Sequence, residues 1–463
     1  MVKFSRENFT ICFIYCIFVV HYSVIFTFFM LLRVLLKNFL SFDDEVQFDM
    51  FPNPKRTLLS SHIYTDKAVP VLKQAAIFGQ NGAGKSNLVK GIKFIKSFAL
   101  QKDFIKSIDI DRYFFKLKPN NDLNPIYLAI EFEFENRYYF YEIEIGHKSV
   151  TKEALYETFP LEEKFELVFE RRKSKVRYSE SEPVDEVIGN ATESLLSKNP
   201  QSSLMALNKD FPIITDVRIK NANKWLRGYL EIIGVKSVIP TLIEILHHDS
   251  KLMNFTKEMV LNLEVGVSNF VLSDEEYESW AQHNSRFLRH IPNNLEGVSA
   301  INLNENDSPR WYIEVEDGIR KVYQLIFDNI GKDGYIGKLD AASQSDGTLR
   351  ALMLLPALYF ASKIGKTIVV DEINYCLSPS MVKGLVGYFS KMPDTNGQLI
   401  FTTHDVQLLD EKEILRSDEV WFVDKKDGAT FIYTHNDFKE HHSISMYKGY
   451  NEGRFGAIRF INL

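Results

Sequence analysis

Ala75-Ala76-Ile77-Phe78-Gly79-Gln80-Asn81-Gly82-Ala83-Gly84-Lys85-Ser86 joins a short apolar run to a glycine-rich turn that closes on lysine and serine. The run before Gly79 reads as a buried strand. After Ser86, apolar residues recur at helical spacing (Leu88, Ile92, Ile95, Phe98) up to Leu100. A strand, a turn with the GxxxxGK[ST] spacing and an amphipathic helix are the parts of a phosphate-binding loop. Glycines let the backbone wrap closely around oxygens with several N–H groups pointing inward. The helix places its positive end beneath the anion. Lys85 reaches terminal phosphates as a point charge, and the Ser86 hydroxyl is placed to ligate Mg²⁺.

Thr367-Ile368-Val369-Val370-Asp371-Glu372, far along the chain, is a β-branched run that ends in two carboxylates. An apolar strand of this kind belongs at the centre of a parallel sheet, and ligands bind at the carboxyl ends of such strands. Asp371 is expected to hold Mg²⁺, and Glu372 to orient the attacking water. The ends of the loop strand and the acidic strand are expected to be neighbours around one triphosphate. Leu399-Ile400-Phe401-Thr402-Thr403-His404-Asp405 is another apolar strand one helix later, so His404 should lie beside the acidic pair. A histidine there serves either the γ-phosphate and its water or the structure alone. Ser343-Gln344-Ser345-Asp346-Gly347-Thr348 opens a strong helix from Leu349 to Ala361. It reads either as a second anion site or as a plain helix cap.

The whole chain has 463 residues, a hydrophobic fraction of 45% and a net charge of −6 from 55 basic and 61 acidic residues. That composition builds cores and excludes a disordered or low-complexity chain. Bulk charge gives no pull toward nucleic acid or anionic membrane. Three cysteines (Cys12, Cys16, Cys376) are read as excluding a disulfide scaffold or a structural zinc site, and they fit a reducing, cytoplasmic setting. Asn8 to Leu32 carries no Asp, Glu, Lys or Arg, yet residues 1–29 lack Leu, Ala and Gly, and a fresh start stands at Met30. Residues 1–29 are read as an upstream extension outside the functional fold, with a membrane anchor and a buried helix as the alternatives.

The expected domains are 30–180, a head lobe with the phosphate loop and an antiparallel meander (126–134, 138–145, 165–170); 181–262, a helical insertion packed on itself or on a partner; and 263–463, the second head lobe. In the insertion, Trp225-Leu226, Tyr229-Leu230 and Ile232-Ile233 form one apolar stripe. His247-His248 and His441-His442 read as solvated surface, without other ligand types at metal spacing.

The order GxxxxGKSN, Ser-Asp-Gly-Thr, hydrophobic-Asp-Glu, Thr-Thr-His-Asp resembles the ABC-type ATPase heads of SMC and RecF-like proteins. It is most similar to compact bacterial AAA-family ATPases linked to restriction, abortive infection and retron-type phage defence. Leu31-Leu32-Arg33-Val34-Leu35-Leu36-Lys37-Asn38-Phe39-Leu40-Ser41-Phe42 and Tyr450-Asn451-Glu452-Gly453-Arg454-Phe455-Gly456-Ala457-Ile458 extend the likeness. The resemblance implies an α/β P-loop NTPase of the ABC/SMC head type, with an antiparallel β subdomain and an inserted helical region. It implies ATP and Mg²⁺ as cofactors. Gly79, Asn81, Gly82, Gly84, Lys85, Ser86 and Asn87 would contact nucleotide, with Ser345 and Gly347 completing the site of a second copy. Ser86 and Asp371 would hold the metal, and Glu372, Lys85 and His404 would act in hydrolysis. It also implies an ATP-dependent homodimer that senses infection and controls a separate nuclease or toxin, since the 59 residues after His404 hold no carboxylate cluster. The alternative is a DNA-associated repair or chromosome-maintenance clamp; no membrane partner is expected. The sequence departs from the family at Ser345-Asp346-Gly347-Thr348 in place of LSGGQ, at Leu377-Ser378-Pro379 in place of Leu-His-Pro, and at Tyr113-Phe114-Phe115-Lys116, where a Q-loop glutamine is absent.

Overall fold

The computed structural model describes residues 29–457, apart from 120, 122–123, 211–213, 236–238, 240, 264–265, 292–299, 306–307, 317–318, 393–394, 412, 439–445 and 453. Residues 1–28 and His441-His442 therefore lie outside the described residues. Among the described residues no helix is long and apolar enough to cross a membrane.

The chain opens with β1 (Met30–Lys37) and β2 (Val46–Asp49), then the small pair β3 (Ile63–Tyr64) and β4 (Val71–Leu72). β5 (Gln74–Phe78) leads through the glycine-rich turn into α1 (Lys85–Leu100), followed by α2 (Phe104–Ser107). The meander is β6 (Ile126–Phe134), β7 (Arg137–Ile145), β8 (Val150–Phe159), β9 (Lys164–Arg172) and β10 (Lys175–Tyr178). Next come α3 (Glu186–Lys198), α4 (Leu204–Asp210), α5 (Val217–Gly228), β11 (Leu230–Ile233), α6 (Leu242–His248) and α7 (Ser250–Asn262). A second antiparallel region holds β12 (Val267–Glu276), α8 (Tyr277–His283), β13 (Ala300–Glu305), β14 (Ser308–Glu316), β15 (Ile319–Ile330) and β16 (Ile336–Asp340). The closing part is α9 (Asp346–Tyr359), β17 (Thr367–Val370), α10 (Pro379–Lys391), β18 (Gln398–Thr403), β19 (Val420–Lys426), β20 (Ala429–Thr434) and α11 (Met446–Asn451).

These strands build a central sheet in the order β11-β17-β18-β5-β19-β20, a meander sheet β10-β9-β8-β7-β6-β1-β2, and a third sheet β12-β15-β14-β13 with β16 on β15. In the central sheet β11, β17, β18, β5 and β19 run parallel, and β20 returns antiparallel. Its central strands β5, β17 and β18 are buried along their whole length, and their middles are apolar on both faces. Alternate residues feed different cores. Ala75, Ile77, Val369, Ile400 and Val423 face the core that holds α1 and the meander. Ala76, Phe78, Ile368, Val370, Leu399 and Phe401 face the core that holds α9, α10 and the third sheet. The β6–β7 hairpin turns on Glu135 and Asn136, both left-handed at φ 53° and 60°. Two such residues match the twist of the flanking strands.

The structure corrects the reading of 181–262 as a helical insertion packed on itself or on a partner. α5 stops at Gly228, and Leu230–Ile233 becomes the edge strand β11, in parallel register with Thr367–Val370. A short apolar run is the case in which periodicity cannot separate helix from strand. α5 lies on the meander, with the Trp225 ring stacked on Phe132 at 4.2 Å and 4°. α6 and α7 belong to the core on the opposite face. At the other end, Phe29 is not part of an extension outside the fold. It is buried, with its ring 4.6 Å from Phe134 and 4.2 Å from Tyr229.

Candidate functional site

The glycine-rich turn is held from two sides. A Cβ on Gly79 would stand 2.5 Å from the Val423 carbonyl oxygen, so β5 and β19 can pass this closely only at glycine. Gly82 and Gly84 adopt φ of 78° and 122°, which side chains rarely tolerate. A Cβ on Gly84 would also meet Thr430 Oγ1 at 2.4 Å. Thr430 Oγ1 lies 2.8 Å from the Ala83 carbonyl and 2.7 Å from Ser41 Oγ, and Asn87 Nδ2 donates to the same Ser41 oxygen at 2.8 Å. The β19–β20 hairpin and the turn after β1 thus clamp the loop. The Asn87 amide is committed to that clamp. Asn81 is exposed at the rim.

Lys85 opens α1 and folds back into the turn. Its ammonium donates to the carbonyls of Gly79 (2.6 Å) and Gln80 (3.2 Å). Burial lowers its pKa, and Glu372 and then Asp371 pull it partly back up. A buried cation with two nearby carboxylates, in a glycine-rich turn at a helix start, suits a polyanion bridged by a divalent metal.

The strand expected to pair with β5 does not. β18 stands between β5 and the acidic strand β17, so the loop and the acidic pair flank the Thr402-Thr403 strand end. This corrects the expected adjacency and gives Thr402 a role the sequence did not disclose. Its hydroxyl donates to Asp371 Oδ1 at 2.7 Å and accepts the Glu372 N–H at 2.7 Å. Ser86 Oγ donates to the same Asp371 oxygen at 3.1 Å. Ser86, Thr402 and Asp371 converge on one spot with oxygen donors alone, a set that fits Mg²⁺. Glu372 follows β17 with a left-handed φ of 49°, so the chain turns away from the strand direction at this residue. Behind the strand, the Asp371 N–H donates to Ile233 O at 2.8 Å, and buried Arg350 reaches the Gly234 and Asp371 carbonyls at 3.3 and 3.5 Å.

His404 sits at the exposed end of β18, beside the acidic strand as expected. Asn374 Nδ2 lies 3.1 Å from its Nδ1 and 3.0 Å from its Nε2, while Thr403 Oγ1 donates to Asn374 Oδ1 at 2.9 Å. Asn374 therefore ties the histidine to the loop after Glu372. Ser345 is exposed at the start of α9 and accepts the Thr348 N–H at 3.1 Å. A Cβ on Gly347 would stand 2.8 Å from the Cys376 carbonyl, which packs this helix start against the same loop. The segment at Tyr113–Phe115 binds the turn after β1, through Leu40 N–H to Tyr113 O (2.6 Å) and Phe115 N–H to Asn38 Oδ1 (3.2 Å). Ser41, Arg350, Asn374, Thr402 and Thr430 were missed by sequence reasoning. The available signal for Thr402 was a polar residue at the end of an otherwise apolar strand; the other four lie in turns, a helix or the β20 edge and carried none.

A parallel sheet with a phosphate-type loop and an acidic strand end defines a P-loop ATPase fold. The chain belongs to the family described as "AAA domain, putative AbiEii toxin, Type IV TA system", which matches residues 75–211 and 266–410. Among solved structures it is similar to the SMC head domain from Thermotoga maritima (13% identity, TM-score 0.38, covering 88% of this chain and 98% of that one). It is also similar to an SmcHead bound to the C-winged helix domain of ScpA (14%, 0.45, 91% and 99%). A third is an Smc head with an extended coiled coil bound to the C-terminal domain of ScpA, derived from Pyrococcus furiosus (14%, 0.41, 92% and 99%). No curated protein matches the chain.

Proposed function

We propose that this chain binds and hydrolyses ATP between two copies of itself, as the sensing or regulatory subunit of an anti-phage system whose nuclease or toxin is a separate protein. One observation carries the ATPase reading: the Ser86 hydroxyl and the Asp371 carboxylate meet at 3.1 Å beside the buried Lys85 ammonium. The family's description, an AAA domain with a toxin–antitoxin association, supports the defence setting. The exposed Ser345 at a helix start supports a site completed by a second copy.

In this reading the loop amides and Lys85 grip the β- and γ-phosphates, and Ser86 and Asp371 hold the metal. Mg²⁺, when bound, spreads the negative charge of the phosphates. Thr402 fixes the carboxylate of Asp371 and the backbone of Glu372 together. The Glu372 carboxylate orients the attacking water, and His404, held by Asn374, faces the same space. Catalysis is positioning and charge stabilisation.

ATP turnover, nucleotide binding and particle mass, measured together, test the proposal. Lys85→Ala should lose nucleotide binding. Glu372→Gln should bind ATP, lose roughly 10²- to 10⁴-fold in turnover and accumulate as a dimer. Wild-type turnover from the Glu372→Gln protein refutes the assigned role. Turnover that rises with added duplex DNA points to the clamp reading instead.

A further inference from the structure

Far along the chain from the phosphate loop, α6 and β14 bring three metal-ligand side chains together. Among the described residues, His247, His248 and Glu314 are the one group of three His, Cys, Asp or Glu whose ligand atoms all lie within 4.8 Å of one another. This overturns the reading of His247-His248 as histidines without a further ligand, because Glu314 lies 66 residues away in sequence and only the fold supplies it.

His247 Nε2 is 3.6 Å from Glu314 Oε2, and His248 Nε2 is 3.7 Å from Glu314 Oε1. Around a tetrahedral ion with bonds of about 2.0–2.1 Å, neighbouring ligand atoms stand about 3.4 Å apart. The two histidine–carboxylate distances therefore lie within a few tenths of an ångström of that value, and closure needs side-chain rotations that bring the ligand atoms, all within 4.8 Å of one another, onto one ion. The ligands are already oriented. The His247 ring packs on Tyr323 at 4.1 Å, and the Tyr323 hydroxyl donates to Glu314 Oε2 at 3.3 Å. Tyr312 OH lies 3.0 Å from His248 Nε2 and has Glu314 as an alternative partner, so it can release the imidazole nitrogen without losing a hydrogen bond. Such outer contacts hold ligating side chains in place. The side chains of His247, His248 and Glu314 are 26%, 51% and 24% exposed, which leaves the fourth position to water.

The geometry points to a mononuclear site for a divalent transition-metal ion of the Zn²⁺ type on His247, His248 and Glu314. Two imidazoles and one carboxylate select this class over Mg²⁺ and Ca²⁺, which prefer oxygen alone. The bound ion pins α6 to the third sheet. α6 is the next helix after β11, the edge strand whose Ile233 carbonyl holds the Asp371 amide, so the pin lies close in sequence to the nucleotide site.

The test uses the full chain without an affinity tag, stripped by chelator and kept in excess Mg²⁺ so that oxygen-only sites are filled. Zn²⁺ is titrated in competition with a chromophoric chelator, and Co²⁺ is added separately to read its visible bands. One equivalent of Zn²⁺ should bind, with Co²⁺ bands of tetrahedral intensity and a raised melting temperature. Glu314→Gln and His247→Gln should each weaken binding about 10- to 100-fold, with circular dichroism unchanged. The proposal is overturned by an absence of stoichiometric binding, by wild-type affinity in the His247→Gln/His248→Gln double variant, or by binding that is lost in Ser86→Ala and kept in His247→Gln.

Discussion

Thr402→Val is the most informative single change. Valine keeps the β-branch and nearly the volume of a fully buried side chain in β18, and removes only the hydroxyl. That hydroxyl makes two bonds of 2.7 Å, donating to Asp371 Oδ1 and accepting from the Glu372 amide. Losing a bond to a carboxylate costs about 1.5–3 kcal/mol, and a stranded amide about 1–3 kcal/mol. The two losses share one relaxing site, so the expected destabilisation is about 2–4 kcal/mol. It should appear in denaturant unfolding as a lower midpoint at unchanged slope. Glu372 would also lose its anchor, and a displacement of about 1 Å at a reacting group costs roughly 100-fold in turnover. Lys85 and the loop are untouched, so nucleotide should still bind and the loss should fall more on kcat than on KM, which separates the effect from a lost binding site. Thr402→Ser should restore both properties. A Thr402→Val protein with normal midpoint and normal turnover would show that this hydroxyl does not organise the acidic pair.

Three further outcomes are expected. Gly84→Ala should abolish nucleotide binding in a filter or fluorescence assay, because the new Cβ would lie 2.4 Å from Thr430 Oγ1 at a backbone φ of 122°. Trp225→Ala should cost about 3–5 kcal/mol in denaturant unfolding, since the indole is fully buried against Phe132; a loss below about 1 kcal/mol would mean that α5 is dispensable to the body. Glu419 has its carboxyl pushed up from 4.5, chiefly by burial, against the opposing pull of His62, the Arg416 amide and Gln74. A raised folded-state value favours folding below the unfolded value, and that contribution is lost as pH rises through the folded value. Glu419→Gln does not ionise, so its melting temperature relative to wild type should rise from about pH 5 to about pH 8, and a flat difference would contradict the burial account.

Local chemistry made part of this protein legible. Gly79 through Ser86 can do little but wrap an anion at a helix start, because the glycines, the lysine and the hydroxyl are needed in that order within one turn. The stretches Ile368–Val370 and Leu399–Phe401 are apolar at consecutive positions, and that alone placed them inside a parallel sheet, with Asp371, Glu372 and His404 near their ends. The Leu230–Ile233 run was misjudged because four residues after a helix, three of them apolar, carry too few periods to reveal that a strand has begun. The clamp of Ser41 and Thr430 on the loop was invisible because each is an ordinary hydroxyl residue whose partner is hundreds of positions away.

The sequence by itself determined the phosphate-loop pattern and the P-loop ATPase class, since that pattern depends on residue types at short, fixed spacing. Only the tertiary structure decided the sheet order that inserts β18 between β5 and β17, and with it the task of Thr402. It also brought Glu314 to His247 and His248, and seated Trp225 on the meander. Those relations arise from which apolar faces find each other when the two cores close over the central sheet, and burial is a non-directional force that leaves no mark of its partner in a single stretch of chain.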